Sequence, residues 1–159
     1  MSKFSLSLLS LLLVLLSFFF IGQAQAASTC NFNAVTNVAF GLYDVFNASP
    51  TDSAGNVQIR CTYWTARTVT MSIGTSPNTG GFNPRAMKLT TGTDLLNYNL
   101  YTTAARNIIW GDGTGGTSTV VKSCPRNTNV DFPVYGRTPA LQDVSIGSYS
   151  DILVVTIRF

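Results

Sequence analysis

The sequence contains no histidine and no glutamate, and its 159 residues include only seven aspartates and ten lysine or arginine residues. General acid–base catalysis relies most often on histidine or on a carboxylate with a shifted pKa. A serine, threonine or cysteine nucleophile would also need a neighbouring base, and no Ser-x-x-Lys pattern is present to supply one. These absences argue against catalysis, and we predict that the chain is not an enzyme and has no catalytic residues.

Metal, cofactor and nucleic-acid sites are also poorly supported. The three cysteines, Cys30, Cys61 and Cys124, are far apart and have no histidine partners, which does not match the spacing of zinc ligands. The glycine-rich residues 111–116 lack the Gly-Lys-Ser/Thr ending of a phosphate-binding loop. The basic residues are scattered and form no stripe that would attract nucleic acid. We therefore predict no metal, no cofactor and no nucleic-acid partner.

The N-terminus has the three parts of an export signal. Lys3 supplies a positive start, an apolar run follows over residues 8–21, and an Ala-x-Ala pattern ends at Ala26. The alternative is a transmembrane anchor, but the run is short for spanning and no charged stop-transfer segment follows it. We predict a signal peptide at residues 1–26, a single secreted domain at residues 27–159 and no stable membrane insertion.

An oxidising compartment permits disulfides, and three cysteines allow three different pairings. The strand pattern favours Cys30–Cys61, because Cys61 belongs to an alternating strand and Cys30 precedes the first predicted strand, which contains Val38 and Phe40 and ends at Gly41. Closing that loop would stabilise the fold by about 3–4 kcal/mol on the chain-entropy model. Cys124 is left over, either as a buried free thiol or as a cysteine that pairs between chains.

Apolar and polar residues alternate with a period of two through the mature part, and no stretch has helical periodicity. Val57, Ile59 and Cys61 point one way, for example, while the residues between them are polar. Further alternating segments that predict strands contain Val69, Met71 and Ile73; Met87 and Leu89; Leu96, Tyr98 and Leu100; Val120 and Val121; and Val130, Phe132 and Val134. About eight short strands separated by turn residues predict an all-β sandwich, with a barrel as the alternative.

The last predicted strand is strongly apolar. Its alternating residues are Leu153, Val155, Ile157 and Phe159. One interpretation is an ordinary core strand. The other is a strand beside an acceptor groove in a sheet that still needs a partner strand, because an open apolar edge aggregates unless another chain covers it.

Aromatic residues offer a weaker hypothesis of surface binding. Trp64, Trp110 and Tyr101 could present rings to a glycan or another surface. Packing in the core or across strands is the alternative explanation.

Several segments together resemble one protein family. They are residues 38–44, the strand through Ile59 to Thr62, residues 97–102, residues 109–116, residues 134–139, residues 147–151 and the terminal strand to Phe159. In this order and spacing the chain resembles the spore coat protein U domain family, which includes subunits of archaic chaperone–usher pili. The resemblance extends over essentially the whole mature part.

The resemblance implies an immunoglobulin-like β-sandwich that lacks its last strand. It implies three kinds of partner, which are a periplasmic pilus chaperone that lends a strand, an outer-membrane usher and other pilus subunits. It also implies that the protein passes through the periplasm to the cell surface. It also supports the Cys30–Cys61 pairing, whereas Cys124 departs from the usual pattern.

A polymerising subunit of this kind carries a donor segment before its first strand, and here only residues 27–29 precede Cys30. We therefore expect a structural subunit that accepts a strand, does not give one, and sits at the tip of a fibre. The alternatives are a tip adhesin that binds a glycan or surface and a spore or cyst coat protein that forms no fibre.

Overall fold

The computed structural model describes residues 29–63 and 66–159, and within these ranges the regular secondary structure consists of β-strands. The predicted signal peptide and Trp64 lie outside the described residues. The strands are, in chain order, β1 Thr29–Thr36, β2 Thr51–Thr62, β3 Arg67–Ile73, β4 Arg85–Leu89, β5 Leu95–Tyr101, β6 Val120–Cys124, β7 Asn129–Thr138, β8 Tyr149–Ser150 and β9 Val155–Arg158.

The strands form two sheets. The large sheet has the order β1-β2-β7-β5-β4-β8, and the small sheet has the order β6-β3-β9. Every pairing between these strands is antiparallel. The two sheets share one hydrophobic core, so the prediction of an all-β sandwich is confirmed.

The core follows from the alternation in the sequence. Ile59 and Cys61 of β2 face Val69 and Met71 of β3 from opposite sheets, and all four side chains are fully buried. Trp110 lies between the sheets with no exposed surface, and its indole N–H donates a hydrogen bond of 3.1 Å to the carbonyl oxygen of Met71. That bond satisfies the polar atom of a side chain that is otherwise packed against hydrophobic groups.

The predicted disulfide is present. Cys30 and Cys61 are bonded and are register partners on β1 and β2. Cys124 is a free and fully buried cysteine at the end of β6. Burial raises the pKa of the Cys124 thiol, which keeps it protonated and unreactive. A thiol in this position cannot reach a second chain unless the end of β6 opens.

The prediction for the first strand is wrong. Cys30 lies inside β1, and Val38 and Phe40 follow its end in a segment without strand pairing. The reason is that the chain leaves the sheet edge after β1 and crosses the inner face of the large sheet. It passes over Gly55, where a β-carbon would overlap the backbone of residues 36–38, and then over Gly136.

Candidate functional site

The candidate site is a groove between two open sheet edges. β1 is the edge strand of the large sheet and pairs with β2 alone, and β9 is the edge strand of the small sheet and pairs with β3 alone. In the described part of the chain no strand connects these two edges. The inner face of the sandwich is therefore open along this side.

Two apolar residues of β1 mark the opening. Phe32 and Val35 are register partners of Ile59 and Val57, so their side chains belong to the inner face of the large sheet. A covered inner face would bury them, but Phe32 is 47% exposed and Val35 is 61% exposed. Side chains that should form part of the core thus lie open to solvent.

A cavity of about 510 Å³ occupies the gap. Residues 35–40 line one side, and residues 149–153 together with Val155 line the other. The floor consists of core residues from both sheets, which are Val57, Ile73, Met87, Tyr98, Leu100 and Val134. We call residues 35–40 the first wall and residues 149–155 the second wall.

The residues predicted for the terminal strand take different positions. Leu153 and Val155 line the second wall. Ile157 packs against the core as the register partner of Met71 and does not line the cavity. Phe159 lies past the end of β9, more than half exposed, with its ring centroid 6.1 Å from that of Tyr63. The role of these four residues in accepting a strand stays a prediction.

A second cavity of about 870 Å³ adjoins the first. Residues 38–46 and 144–149 line its two sides, and the two cavities share residues 38–40, Met87 and Tyr149. The loops are held together because the Tyr43 hydroxyl donates to the carbonyl oxygen of Pro139 and accepts from the amide of Gln142, at 2.8 and 2.9 Å. The groove thus extends beyond the sheets into a pair of linked loops.

Of the three aromatic residues proposed for surface binding, Trp110 and Tyr101 lie within the described residues. Trp110 is fully buried and leaves no ring face for a ligand, so the hypothesis of surface binding does not hold for Trp110. Tyr101 is half-buried at the end of β5, and Trp64 lies outside the described residues. Packing between the sheets explains Trp110, since its ring lies 6.5 Å from that of Phe132.

The glycine-rich loop is closed by its own hydrogen bonds. Asp112 accepts bonds from the amide and the hydroxyl of Thr114, at 2.9 and 2.6 Å, and these bonds lower the pKa of Asp112. Within residues 29–63 and 66–159, no group of three or more histidine, cysteine or acidic side chains is placed to hold a metal ion.

Sequence reasoning missed a set of buried and half-buried polar residues beside the groove. Arg85 is fully buried on β4, and Tyr98 donates a hydrogen bond of 2.8 Å to Asp151. One signal was available for Arg85: it shares the alternation of Met87 and Leu89, which places a charged residue at an inward position of a strand. Tyr98 and Asp151 are 53 residues apart, and their contact depends on the fold.

Comparison with known proteins identifies the family. The family model for the Spore Coat Protein U domain matches residues 16–156, so the chain belongs to this family. Protein U of Myxococcus xanthus is 32% identical over 146 residues, which is 87% of this chain and 76% of that protein.

A solved structure shares the fold. It is a complex of the chaperone CsuC with the tip adhesion subunit CsuE, a pre-assembly complex from the archaic chaperone–usher Csu pili of Acinetobacter baumannii. The match has a TM-score of 0.52 and 22% identity, and it covers 85% of this chain and 41% of the matched chain. This likeness establishes an immunoglobulin-like sandwich. Among the described residues, no helix has the length and apolar character needed to cross a membrane.

Proposed function

We propose that this chain is a secreted, non-enzymatic structural subunit of a cell-surface assembly, and that its groove accepts an extended strand from a partner. The observation that carries the proposal is the exposure of Phe32 and Val35 on the inner face of β1, opposite the free edge of β9. A strand inserted between β1 and β9 would hydrogen-bond to open backbone groups and cover these apolar side chains.

The dimensions of the groove suit a strand. The second wall extends over the seven residues 149–155, and a strand rises about 3.3 Å per residue, which gives an acceptor length of about 20 Å. The adjoining loop cavity lengthens this path. An apolar groove of this length favours an extended segment with alternating apolar side chains over a small polar molecule.

The proposed partners follow from the family and the fold. The matched structure is a chaperone in complex with a tip adhesion subunit. By analogy we assign a periplasmic chaperone as the first partner of this chain, then an outer-membrane usher and other subunits, with passage through the periplasm to the cell surface. The predicted signal peptide at residues 1–26 supports this route.

Two matched valines provide the test. Val35 lies on the first wall and is 61% exposed, whereas Val121 lies on β6, away from the groove, and is 56% exposed. In a periplasmic co-purification with a candidate chaperone, Val35→Asp should lose the chaperone and Val121→Asp should retain it. The proposal is wrong if Val35→Asp co-elutes with the chaperone as efficiently as the wild type.

A second candidate function is adhesion at the tip of a fibre. Leu42, Phe46 and Ile146 are almost completely exposed in the linked loops beside the second cavity. Exposed apolar side chains grouped in this way favour contact with an apolar surface over a glycan, which is usually held by exposed aromatic rings and polar groups. Leu42→Ser with Ile146→Ser should reduce attachment of purified protein to polystyrene if adhesion is the role, and chaperone capture should persist.

A further inference from the structure

Arg85 is a buried cation whose bonds run from one sheet to the other. It lies on β4 of the large sheet and donates to the carbonyl oxygen of Gly74 from Nη2 and Nε, at 2.9 and 3.2 Å. It also donates to the carbonyl oxygens of Ile73 and Trp110, at 3.3 and 2.8 Å, and to Asn99 Oδ1 at 2.9 Å. Its hydrogen-bond acceptors in the described residues are therefore neutral, and three of them are carbonyl groups of the backbone.

These bonds reach the second wall through one residue. Gly74 follows the end of β3, and its amide donates a hydrogen bond of 2.8 Å to the carbonyl oxygen of Val154. Val154 lies between Leu153 and Val155, which line the groove. The guanidinium of Arg85 thus holds the carbonyl side of Gly74 while the amide side of Gly74 holds the second wall.

The second wall starts in the large sheet, because Tyr149 and Ser150 form β8 and pair with β4, and a side-chain connection holds the residue that follows β8. Asp151 Oδ2 accepts a bond of 2.8 Å from the Tyr98 hydroxyl of β5, and Asp151 Oδ1 accepts one of 3.2 Å from Asn78. Burial and the bond to Asp151 raise the pKa of Tyr98, so the hydroxyl keeps the proton that it donates. Asp151 also accepts from the amide of Ile152 at 2.9 Å, which fixes the carboxylate against its own backbone.

Both connections oppose closure of the groove. Val35 on the first wall and Leu153 and Val155 on the second would gain by burying each other, because apolar surface is driven out of water. Hydrophobic attraction has no preferred direction, whereas a hydrogen bond restricts both distance and angle. Two polar connections between the second wall and the large sheet can therefore keep the walls at a set separation.

We infer that Arg85 and the Tyr98–Asp151 pair are positioning groups that hold the second wall of the groove open in the free protein, so that an incoming strand meets a preformed acceptor. This inference rests on the proposed function of the groove. None of these groups has to contact the strand through its own polar atoms, since each acts through the wall that it holds.

Two variants and one control test the inference. Arg85→Met removes the guanidinium and keeps an unbranched apolar side chain, and Tyr98→Phe removes one hydroxyl and keeps the ring that packs at 5.8 Å from that of Phe40. Val69→Ala, in a fully buried position of β3 that does not line the groove, lowers stability without touching either connection. Tyr98→Phe keeps the test decisive if Arg85→Met does not fold.

The first measurement needs no ligand. Methyl NOEs between Val35 and Leu153 in the free protein report the separation of the two walls. They should strengthen in Arg85→Met and Tyr98→Phe and should not change in Val69→Ala. Unchanged NOEs in both variants would overturn the inference.

The second measurement is the association rate of a fluorescent synthetic peptide of alternating valine and threonine residues with lysines at both ends. If the open state falls to about a tenth of the population, association should slow about tenfold in the two variants. Val69→Ala should bind at the wild-type rate. Equal rates in all four proteins would overturn the inference. If the wild type does not bind the peptide but the NOEs change as expected, the positioning role stands and the proposed function fails.

Discussion

The Val38 side chain lies directly over Gly136, and a β-carbon at Gly136 would stand 2.6 Å from Val38 Cγ1. The same β-carbon would stand 2.8 Å from Cζ of Phe40. Strand β7 therefore carries glycine at the place where the segment after β1 crosses the inner face of the sheet. Because of this crossing, Val38 and Phe40 lie in the first wall of the groove and not along the edge strand β1.

A single methyl group at this crossing should be costly. Gly136→Ala forces the crossing segment outwards, and we expect a loss of about 1–3 kcal/mol in the free energy of unfolding because overpacking a tight contact strains its neighbours. Gly81→Ala is the control, since the nearest atom to its β-carbon is 3.9 Å away. Urea denaturation followed by tryptophan fluorescence checks the expectation, and equal midpoints for the two variants would contradict it.

The disulfide should contribute a large part of the stability. Replacing Cys30 and Cys61 together by serine should lower the free energy of unfolding by about 3–4 kcal/mol, because the unfolded chain regains the entropy of a loop that the bond had closed. Peptide mapping without reductant should find Cys30 joined to Cys61 and Cys124 as a free thiol. A peptide that joins Cys61 to Cys124 would contradict this pairing.

The free energy of unfolding should decline in acid because Asp52, on the outer face of the large sheet, is paired with arginine. Asp52 accepts hydrogen bonds of 2.7 and 2.9 Å from Arg137 and lies 3.2 Å from Arg106. These contacts, the Arg137 hydrogen bond first, hold the pKa of Asp52 below its ordinary value. The pKa of Asp52 is thus lower in the folded protein than its unfolded value of about 3.9. The contribution of Asp52 to the free energy of unfolding is therefore fully present above about pH 3.9, and it is lost as the pH falls through the folded pKa.

Asp52→Asn isolates this effect. The variant should melt at a lower temperature than the wild type at pH 7. The difference should begin to shrink below about pH 3.9, where the unfolded chain takes up a proton, and should be lost below the lower pKa of the folded protein. Asp143→Asn, which removes an exposed carboxylate from a loop, serves as the control for net charge. A difference in melting temperature between Asp52→Asn and the wild type that does not vary between pH 7 and pH 2 would refute the assignment.

The polarity of assembly depends on the mature N-terminus. β1 begins at Thr29, so cleavage after Ala26 would leave two residues before it, whereas a strand that spans a sheet takes about five or six. We expect N-terminal sequencing of the secreted protein to begin at Ala27. We also expect the protein to cap a polymerising subunit and not extend it. Long fibres formed by this subunit alone would rule out a terminal position.

Most of the strands could be predicted from the sequence because alternation is a local property. Val57, Ile59 and Cys61 face the core since neighbouring side chains on a strand point to opposite faces. The same rule failed for Val38 and Phe40. Both side chains do pack against the core, but their backbone crosses a sheet and pairs with no strand, and the alternation of side chains cannot distinguish these two cases.

The candidate site was predictable only in part. The apolar run from Leu153 to Phe159 indicated an unusual last strand, and Leu153 and Val155 do line the groove. The opposite wall was not predictable, because it depends on where the chain goes after β1. Trp110 illustrates the same limit, since an aromatic residue beside a glycine-rich loop has the same sequence signature whether it faces solvent or the core.

The sequence by itself determined that the domain consists of alternating strands and that acid–base residues are scarce. It favoured the Cys30–Cys61 pairing over two others and carried the resemblance to one family. The tertiary structure decided where the inner face is left open, which residues form the two walls and which buried polar groups connect them. The physical reason is the range of the interactions. Strand periodicity is set by neighbours along the chain. The groove, by contrast, is bounded by residues about 115 positions apart. Its polar connections, such as the hydrogen bond from Tyr98 to Asp151, form only when the two sheets are packed.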